Sequence, residues 1–150
     1  MSKDRVYVDT SVIGGCFDVE FALESKALLE LARTGDIVLI VSNLLSEELA
    51  LAPKKVRSYF EALPPSSIEK VEMTPESDAL VAAYLDAKVV GPSSENDAHH
   101  VALATLAKAT VILSWNFRHI VHLDKIKGFN AVNRARGYGA IEIRTPREYV

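Results

Sequence analysis

The chain has 150 residues, of which 49% are hydrophobic and 25% are charged, and its formal net charge is −3. This is the composition of an ordinary globular domain, and the acidic net charge argues against a general polyanion binder. No apolar run approaches the ~20 residues that span a bilayer, residues 1–5 lack the pattern of a signal peptide, and the single cysteine, Cys16, excludes an intrachain disulfide and fits a reducing cytoplasm.

The hydrophobic pattern predicts strands and helices in alternation. Short apolar runs predict strands over residues 6–8, 37–41, 68–73, 111–114 and 141–143. Apolar residues at helical spacing predict helices over residues 19–33, 44–51, 53–63, 74–88 and 96–108. Residues 116–136 have a mixed pattern, and we expect short helices there. Because alternating strands and helices imply a parallel sheet covered on both faces, we expect one α/β domain over residues 1–150 with about five strands.

Local signals mark some of the boundaries between these elements. Gly14 and Gly15 indicate a tight backbone after the first strand. Ser42, or the residue after it, is placed to cap the helix that follows the second strand. Thr145 and Glu148 have the spacing of a capping box, which predicts a final helical turn.

Oxygen-bearing side chains lie where strands should end and helices begin. Asp9 closes the first strand, Asp97 opens the helix over 96–108, and Asn116 follows the fourth strand. Parallel α/β sheets bind ligands at the carboxyl ends of their strands, and carboxylates with an amide suit a hard cation such as Mg²⁺ or Mn²⁺. The sequence therefore predicts a divalent-metal site, in which Thr10 or Ser11 adds a supporting hydrogen bond. The alternative for Asp9 is that it caps the next helix.

Glu48 is a further candidate ligand. It lies four residues after Leu44 and three after Leu45, so it shares the buried face of its helix. A carboxylate on an apolar face is costly unless it is paired or bound to a metal, whereas Glu47 points elsewhere and is expected in solvent. The alternative is that both glutamates are surface charges.

The tandem histidines His99 and His100 do not form a simple metal motif, since adjacent helical residues diverge by about 100°. His100 shares a face with Asp97, so we expect it to orient a ligand rather than bind the ion. An alternative zinc site would combine this pair with His119 and His122.

The segment after the fourth strand carries further candidates. Ser114 is a polar residue at the strand end, where it can support a ligand. We interpret Trp115 and Phe117 as packing residues rather than base-stacking platforms. Basic residues are concentrated between positions 118 and 136, where Asp124 is the only acid; they are Arg118, Lys125, Lys127, Arg134 and Arg136. Such a strip can hold a phosphate backbone, with Arg118 and Lys125 as the expected contacts, or it can be an ordinary solvated surface.

Four segments together resemble the motifs of PIN-domain ribonucleases, in particular the bacterial toxins called VapC. They are residues 8–12 (VDTSV), the segment 42–49 with its glutamate, residues 96–104 (NDAHHVALA) and residues 114–116 (SWN). The resemblance implies a three-layer α/β/α fold and Mg²⁺- or Mn²⁺-dependent cleavage of RNA. Asp9, Glu48 and Asp97 match the three acidic positions, and Asn116 stands where many members carry a fourth acid. The resemblance also implies an antitoxin partner, a homodimer and a cytoplasmic location.

Asn116 bears on the expected chemistry, because an amide supplies a neutral oxygen and removes one negative charge. Metal affinity should fall, most for a second ion, unless Asp124 compensates. One rival is therefore a binding module whose site has decayed. Another is a phosphatase with Asp9 as nucleophile, although such enzymes generally want an acid where this chain has Ser11. A phosphoacceptor receiver domain would want a pair of acids beside the first strand, and none is seen there.

Overall fold

Five parallel strands form the central sheet of the computed structural model, which describes residues 2–150. The strands are β1 (Arg5–Val8), β2 (Val38–Ser42), β3 (Ile68–Val71), β4 (Val111–Leu113) and β5 (Ile143–Arg144). Their order is β3-β2-β1-β4-β5, and all neighbours pair in parallel. The predicted sheet is therefore confirmed. Met1, the first residue of the segment judged for a signal peptide, lies outside the described residues.

Eight helices surround the sheet within residues 2–150. They are α1 (Thr10–Gly15), α2 (Ala22–Arg33), α3 (Asn43–Ala50), α4 (Lys54–Glu61), α5 (Pro75–Asp86), α6 (Glu95–Leu106), α7 (Leu123–Ala135) and α8 (Pro146–Tyr149). Ser42 caps α3 by accepting the Leu45 N–H, and Thr145 forms the predicted capping box with Glu148. In the described part of the chain, none of these helices combines the length and apolarity that a membrane crossing requires.

Strand side chains alternate between two apolar cores. Val6 and Val8 of β1 pack in the first core, with residues of α1, α2, α3 and α4. Tyr7, between them, packs in the second core, with residues of α5, α6 and α7. This period of two is that of strands buried on both faces of a sheet. The arrangement of helices, sheet and helices confirms the predicted three-layer α/β/α architecture.

Two helices that differ from the predicted elements contain glycines. Gly14 and Gly15 lie inside α1 rather than in a tight turn. The segment expected to hold short helices contains a single helix of 13 residues, α7, with Gly128 in its interior. A Cβ on Gly128 would lie 2.9 Å from a methyl carbon of Val89, so the glycine allows α7 to approach the preceding loop closely.

The last strand is shorter and later than predicted. Ile141 was expected to begin it, but both backbone groups of Ile141 bond to the side chain of Asn130 on α7. The Asn130 Oδ1 accepts the Ile141 N–H at 2.8 Å, and its Nδ2 donates to the Ile141 carbonyl at 3.1 Å. A side-chain amide thus takes the place of a neighbouring strand at this residue, and regular pairing begins at Ile143.

The strand order places a crevice between β1 and β4. From β1 the chain proceeds through α1 and α2 to β2 on one side, and it later crosses to β4 on the other side of β1. The segments that leave β1 and β4 therefore enter opposite helical layers. Ligand sites of open parallel sheets occur at such switch points, outside the carboxyl ends of the strands.

The packing of α1 yields a prediction about two neighbouring glycines. A Cβ on Gly15 would lie 2.6 Å from the Ser25 Oγ and 2.8 Å from the Trp115 Nε1, whereas a Cβ on Gly14 would meet nothing within 4 Å. Gly15→Ala should lower the free energy of unfolding by about 1–3 kcal/mol through overpacking. Gly14→Ala should leave it unchanged or raise it by roughly 0.5–1 kcal/mol, because alanine favours the helix. Urea unfolding of both variants tests this, and equal effects would contradict it.

Candidate functional site

Asp9 is a buried carboxylate at the end of β1, in the crevice between β1 and β4. The Ser11 hydroxyl donates to its Oδ1 at 2.6 Å, and the Ser114 hydroxyl donates to its Oδ2 at 2.6 Å. Asp9 is the N-cap residue of α1, as the alternative expected, but its side chain makes no capping hydrogen bond and both of its oxygens bond hydroxyls instead. Two hydroxyls from distant parts of the chain fix both oxygens of this carboxylate.

The environment of Asp9 disfavours its charge. Burial raises the pKa of the Asp9 carboxyl, and the charge of His100 and the hydrogen bonds from Ser11 and Ser114 offset this only in part. Desolvation penalises an ionised group unless opposite charge or hydrogen bonds compensate fully. A bound cation would supply the missing compensation, so the site suits a positively charged ligand.

Glu48 is held at the same edge of the sheet. Its Oε1 accepts hydrogen bonds from the Thr10 hydroxyl at 2.7 Å and from the His100 Nε2 at 2.8 Å. Burial alone would raise the pKa of Glu48, but these hydrogen bonds and the charge of His100 outweigh it and keep the pKa below its ordinary value. Glu47 is exposed. Glu48 is therefore the glutamate that faces the site, and the alternative that both are surface charges is wrong.

Tyr7 is a member of the site that sequence reasoning missed. Its hydroxyl lies 2.7 Å from the His100 Nδ1 and donates to the Ser42 Oγ at 3.0 Å. The side chain is fully buried, and burial raises the pKa of the phenol far above its usual range. The only available signal was a hydroxyl-bearing residue inside an apolar strand, two positions before Asp9. A continuous chain of contacts thus joins Ser42, Tyr7, His100 and Glu48.

Asp97 stands apart from the two other acids. It lies in the first turn of α6, half-exposed, and its Oδ2 is 3.2 Å from the His119 Nδ1. Within residues 2–150, no group of three or more His, Cys, Asp or Glu side chains is arranged so that it holds a metal ion. Asp9 and Glu48 are therefore held by two separate hydrogen-bond networks, one through Ser11 and Ser114 and one through Thr10 and His100, and the charge of His100 acts on both carboxylates. Asp97 instead contacts a histidine of the loop after β4.

Asn116 uses its side chain within its own loop. Its Oδ1 accepts the backbone N–H groups of Arg118 at 3.2 Å and His119 at 2.9 Å. Its own N–H donates to the Ser114 Oγ at 2.9 Å, which in turn bonds Asp9. The amide oxygen therefore shapes the loop beside the site, and a part as a weak or outer metal ligand stays a prediction.

The histidines do not converge on one point. His99 turns away from His100 and bonds the Ser77 Oγ through its Nε2 at 2.9 Å, and burial lowers its pKa. His119 contacts Asp97, while His122 is exposed at the start of α7. The alternative zinc site built from these four residues is therefore not formed.

The basic residues do not form one strip at the site. Arg118 is exposed on the loop beside Asn116, but the Lys125 ammonium donates to the Val89 carbonyl at 2.8 Å instead of facing the site. Arg134 borders the same cleft as Thr110, the residue before β4, and so lies at the opposite edge of the sheet. Of the two predicted substrate contacts, only Arg118 is free and near the candidate site.

Comparison with known proteins identifies the fold. No protein-family model matches the sequence, and no curated protein matches it either. Among solved structures, VapC20 of Mycobacterium tuberculosis, a toxin described as cleaving the sarcin-ricin loop, is 14% identical with a TM-score of 0.57, over 91% of this chain and 98% of that one. VapBC2 of Rickettsia felis, solved bound to a DNA fragment from its promoter, is 15% identical with a TM-score of 0.54, over 76% of this chain and 89% of that one. The chain therefore has the fold of VapC-type PIN domains.

The opposite pKa shifts of the two acids predict opposite effects on stability. A raised carboxyl pKa means that the folded state binds the proton more tightly, so stability from protonated Asp9 is lost as pH rises through its folded pKa. Asp9→Asn should therefore stabilise the metal-free protein at neutral pH, and a gain of about 1 kcal/mol would raise Tm by roughly 2–4 °C. The gain should shrink as pH falls toward the ordinary carboxyl range.

Glu48→Gln is the matched control, because the pKa of Glu48 is lowered. Its ionised form contributes stability above the ordinary carboxyl range, and that contribution is lost on acidification. The substitution should thus lower Tm at neutral pH. Thermal unfolding of both variants across pH in the presence of EDTA is the measurement, and a loss of stability in Asp9→Asn at neutral pH would contradict the account of Asp9.

We expect the buried Tyr7 hydroxyl to contribute to the free energy of unfolding. Tyr7→Phe leaves the buried His100 Nδ1 without its partner, which should lower the free energy of unfolding by about 1–3 kcal/mol. Tyr138→Phe removes an exposed hydrogen bond to Glu76 and should change it by no more than about 0.5 kcal/mol. Urea unfolding compares the two, and ¹⁵N NMR of the imidazole should show a shifted His100 Nδ1 resonance in Tyr7→Phe alone.

Proposed function

We propose that this chain is a metal-dependent endoribonuclease and the toxin of a toxin–antitoxin pair. The observation that carries the proposal is that Asp9 and Glu48 both lie at the carboxyl edge of the sheet. Each carboxylate is held by hydroxyl donors, and the charge of His100 acts on both. The shared fold with VapC20, whose own description is that of an RNA-loop-cleaving toxin, supports the same reading. Four sequence motifs in the order of that family support it independently.

The cation that fits these residues is Mg²⁺ or Mn²⁺. Asp9, Glu48 and Asp97 offer hard carboxylate oxygens, and burial of the Asp9 charge favours a positive ligand beside it. Such an ion, when bound, lowers the pKa of a coordinated water and neutralises negative charge on a phosphate. In the proposed site, the His119 imidazole would compete with the cation for the Asp97 Oδ2.

The surrounding side chains position these acids. Ser11 and Ser114 hold the two oxygens of Asp9, so its orientation is fixed before any ligand arrives. Thr10 and His100 both bind one oxygen of Glu48, which leaves the second oxygen free of these two contacts. Preorganised ligands reduce the free energy lost on ordering a site, and outer contacts of this kind support metal affinity. Arg118 would contact the RNA backbone.

The partners are proposed on the same ground. An antitoxin is expected because one structural neighbour is the VapBC2 pair of Rickettsia felis. Self-association into a homodimer and a cytoplasmic location are further expectations from the resemblance. Each stays a prediction for this chain.

A binding module without catalysis is the second candidate. It is favoured by the contact of Asp97 with His119 and by the use of the Asn116 oxygen within its loop, since both withdraw possible ligands from the site. A phosphatase with Asp9 as nucleophile is disfavoured. Such enzymes generally want an acid two residues after the nucleophile, and this chain has Ser11 there, whose hydroxyl donates to Asp9 instead.

Cleavage of RNA tests the proposal. Purified protein should cleave a mixed single-stranded RNA in the presence of Mn²⁺, and the activity should be lost with EDTA or in Asp9→Asn. Glu48→Gln should reduce the rate by at least the roughly 10–100-fold that is typical for residues supporting a metal ligand. Glu47→Gln is the matched control, because the Glu47 side chain is adjacent in sequence but exposed. This variant should cleave at the wild-type rate.

Calorimetric titration with Mn²⁺ separates the two candidates if no cleavage is seen. Mn²⁺ binding that weakens in Glu48→Gln but not in Glu47→Gln would keep the metal site and leave the RNA target to be found. Absence of Mn²⁺ binding in the wild type would reject the nuclease in favour of the binding module.

A further inference from the structure

Phe117 is an exposed aromatic residue beside the candidate site. Its side chain is 48% exposed, whereas Trp115, two residues earlier, is 5% exposed and donates its Nε1–H to the Ser25 Oγ. Trp115 is therefore a core packing residue, as predicted, whereas Phe117 packs only at the rim of this aromatic group and keeps about half of its side chain in solvent. A phenyl ring left in water forgoes the free energy of burial, so a ligand that covers its face would gain it.

The ring is held in place rather than free to rotate into the core. Its centroid lies 6.2 Å from those of Phe21 and Trp115, at interplanar angles of 40° and 49°. Phe21 and Trp115 stack on each other with centroids 4.2 Å apart. The two stacked rings thus support Phe117 from one side and leave part of its surface open. Such preorganisation lowers the entropy lost when a planar ligand stacks.

The loop that carries Phe117 is anchored to Asp9 through Ser114. The preceding residue, Asn116, donates its N–H to the Ser114 Oγ, and that hydroxyl donates to the Asp9 Oδ2. The Asn116 side chain then fixes the next turn by accepting the Arg118 N–H. Phe117 therefore lies on a loop whose backbone is anchored to the candidate site.

Charge beside the ring identifies the kind of ligand. Arg118 is exposed, and none of the ion pairs within residues 2–150 involves it. An exposed aromatic ring followed in the chain by an exposed arginine that makes no ion pair suits a nucleotide, whose base stacks and whose phosphate takes the positive charge. Since the chain has a net charge of −3, long-range attraction to a polyanion is weak and stacking must supply more of the affinity.

We infer that Phe117 is the stacking platform for an unpaired nucleobase of the RNA, with Arg118 on the adjoining phosphate. This inference rests on the proposed ribonuclease function and adds a substrate-binding residue to it. Stacking requires a base that is not paired within a helix, so the site should prefer single-stranded RNA or a loop over a duplex. Stacking tolerates any base, so Phe117 should favour unpaired structure rather than one sequence.

Binding of a fluorescent RNA tests this without cleavage. The probe is a short single-stranded RNA with one 2-aminopurine, whose fluorescence falls on stacking, titrated with full-length Asp9→Asn protein in EDTA. Adding Phe117→Leu, which keeps an apolar side chain but removes the aromatic face, should weaken binding by roughly 5- to 150-fold and abolish the quenching. Phe117→Trp should restore both. Leu51→Ala, at another exposed apolar residue (91% exposed), should bind as the parent does.

The outcomes separate this inference from the function it rests on. RNA binding that is equal in Phe117→Leu and its parent overturns the stacking platform while leaving the nuclease proposal intact, and points to a protein partner covering the ring. Equal affinity for the duplex of the same sequence also overturns it. Absence of RNA binding by the parent, together with absence of cleavage by the wild type, overturns the inference and the proposed function together.

Discussion

The buried carboxylate of Asp9, clamped by the hydroxyls of Ser11 and Ser114, is the interaction on which the rest of the site depends. It joins the segments that leave β1 and β4 at the point where they diverge into opposite helical layers. The Ser11 hydroxyl oxygen also accepts the Trp115 N–H at 2.9 Å, so the same atoms fix the loop that carries Asn116. The same hydrogen bonds therefore close the crevice and orient the Asp9 carboxylate. Disturbing either hydroxyl would loosen both.

A second network ties the two helical layers together above the sheet edge. Glu48 belongs to α3 in one layer and His100 to α6 in the other, and their side chains meet at 2.8 Å. Tyr7 reaches the other nitrogen of the same imidazole from the sheet itself. Every buried side-chain nitrogen or oxygen within residues 2–150 has a hydrogen-bond partner, as such a network requires. The position of Glu48 is thus set by all three layers at once.

Sequence periodicity was sufficient for the sheet but not for contacts between distant segments. The strands were predictable because burial on both faces of a sheet produces apolar runs. Asp9 was recognised because it ends such a run, and Glu48 because a carboxylate on the apolar face of a helix is costly. Tyr7 was missed because its ring belongs to the apolar pattern and only its hydroxyl reaches the site. The contact between Asp97 and His119 joins the first turn of α6 to the loop after β4, and no local pattern encodes it. The mixed pattern over residues 116–136 also concealed α7, whose Gly128 packs closely against Val89.

The arrangement of charges explains why a cation and the fold would support each other. Burial disfavours the ionised form of Asp9. A charged Asp9 therefore lowers the stability of the metal-free protein, and a bound cation would offset that cost. Any cation that binds the folded state alone raises stability through that binding. If Asp97 takes part in the proposed site, its contact with His119 would compete with the cation for the Asp97 Oδ2. Because Asn116 would contribute no charge, the proposed site would depend on the acids, and the Asp97–His119 contact is the one that sets the third acid apart from Asp9 and Glu48.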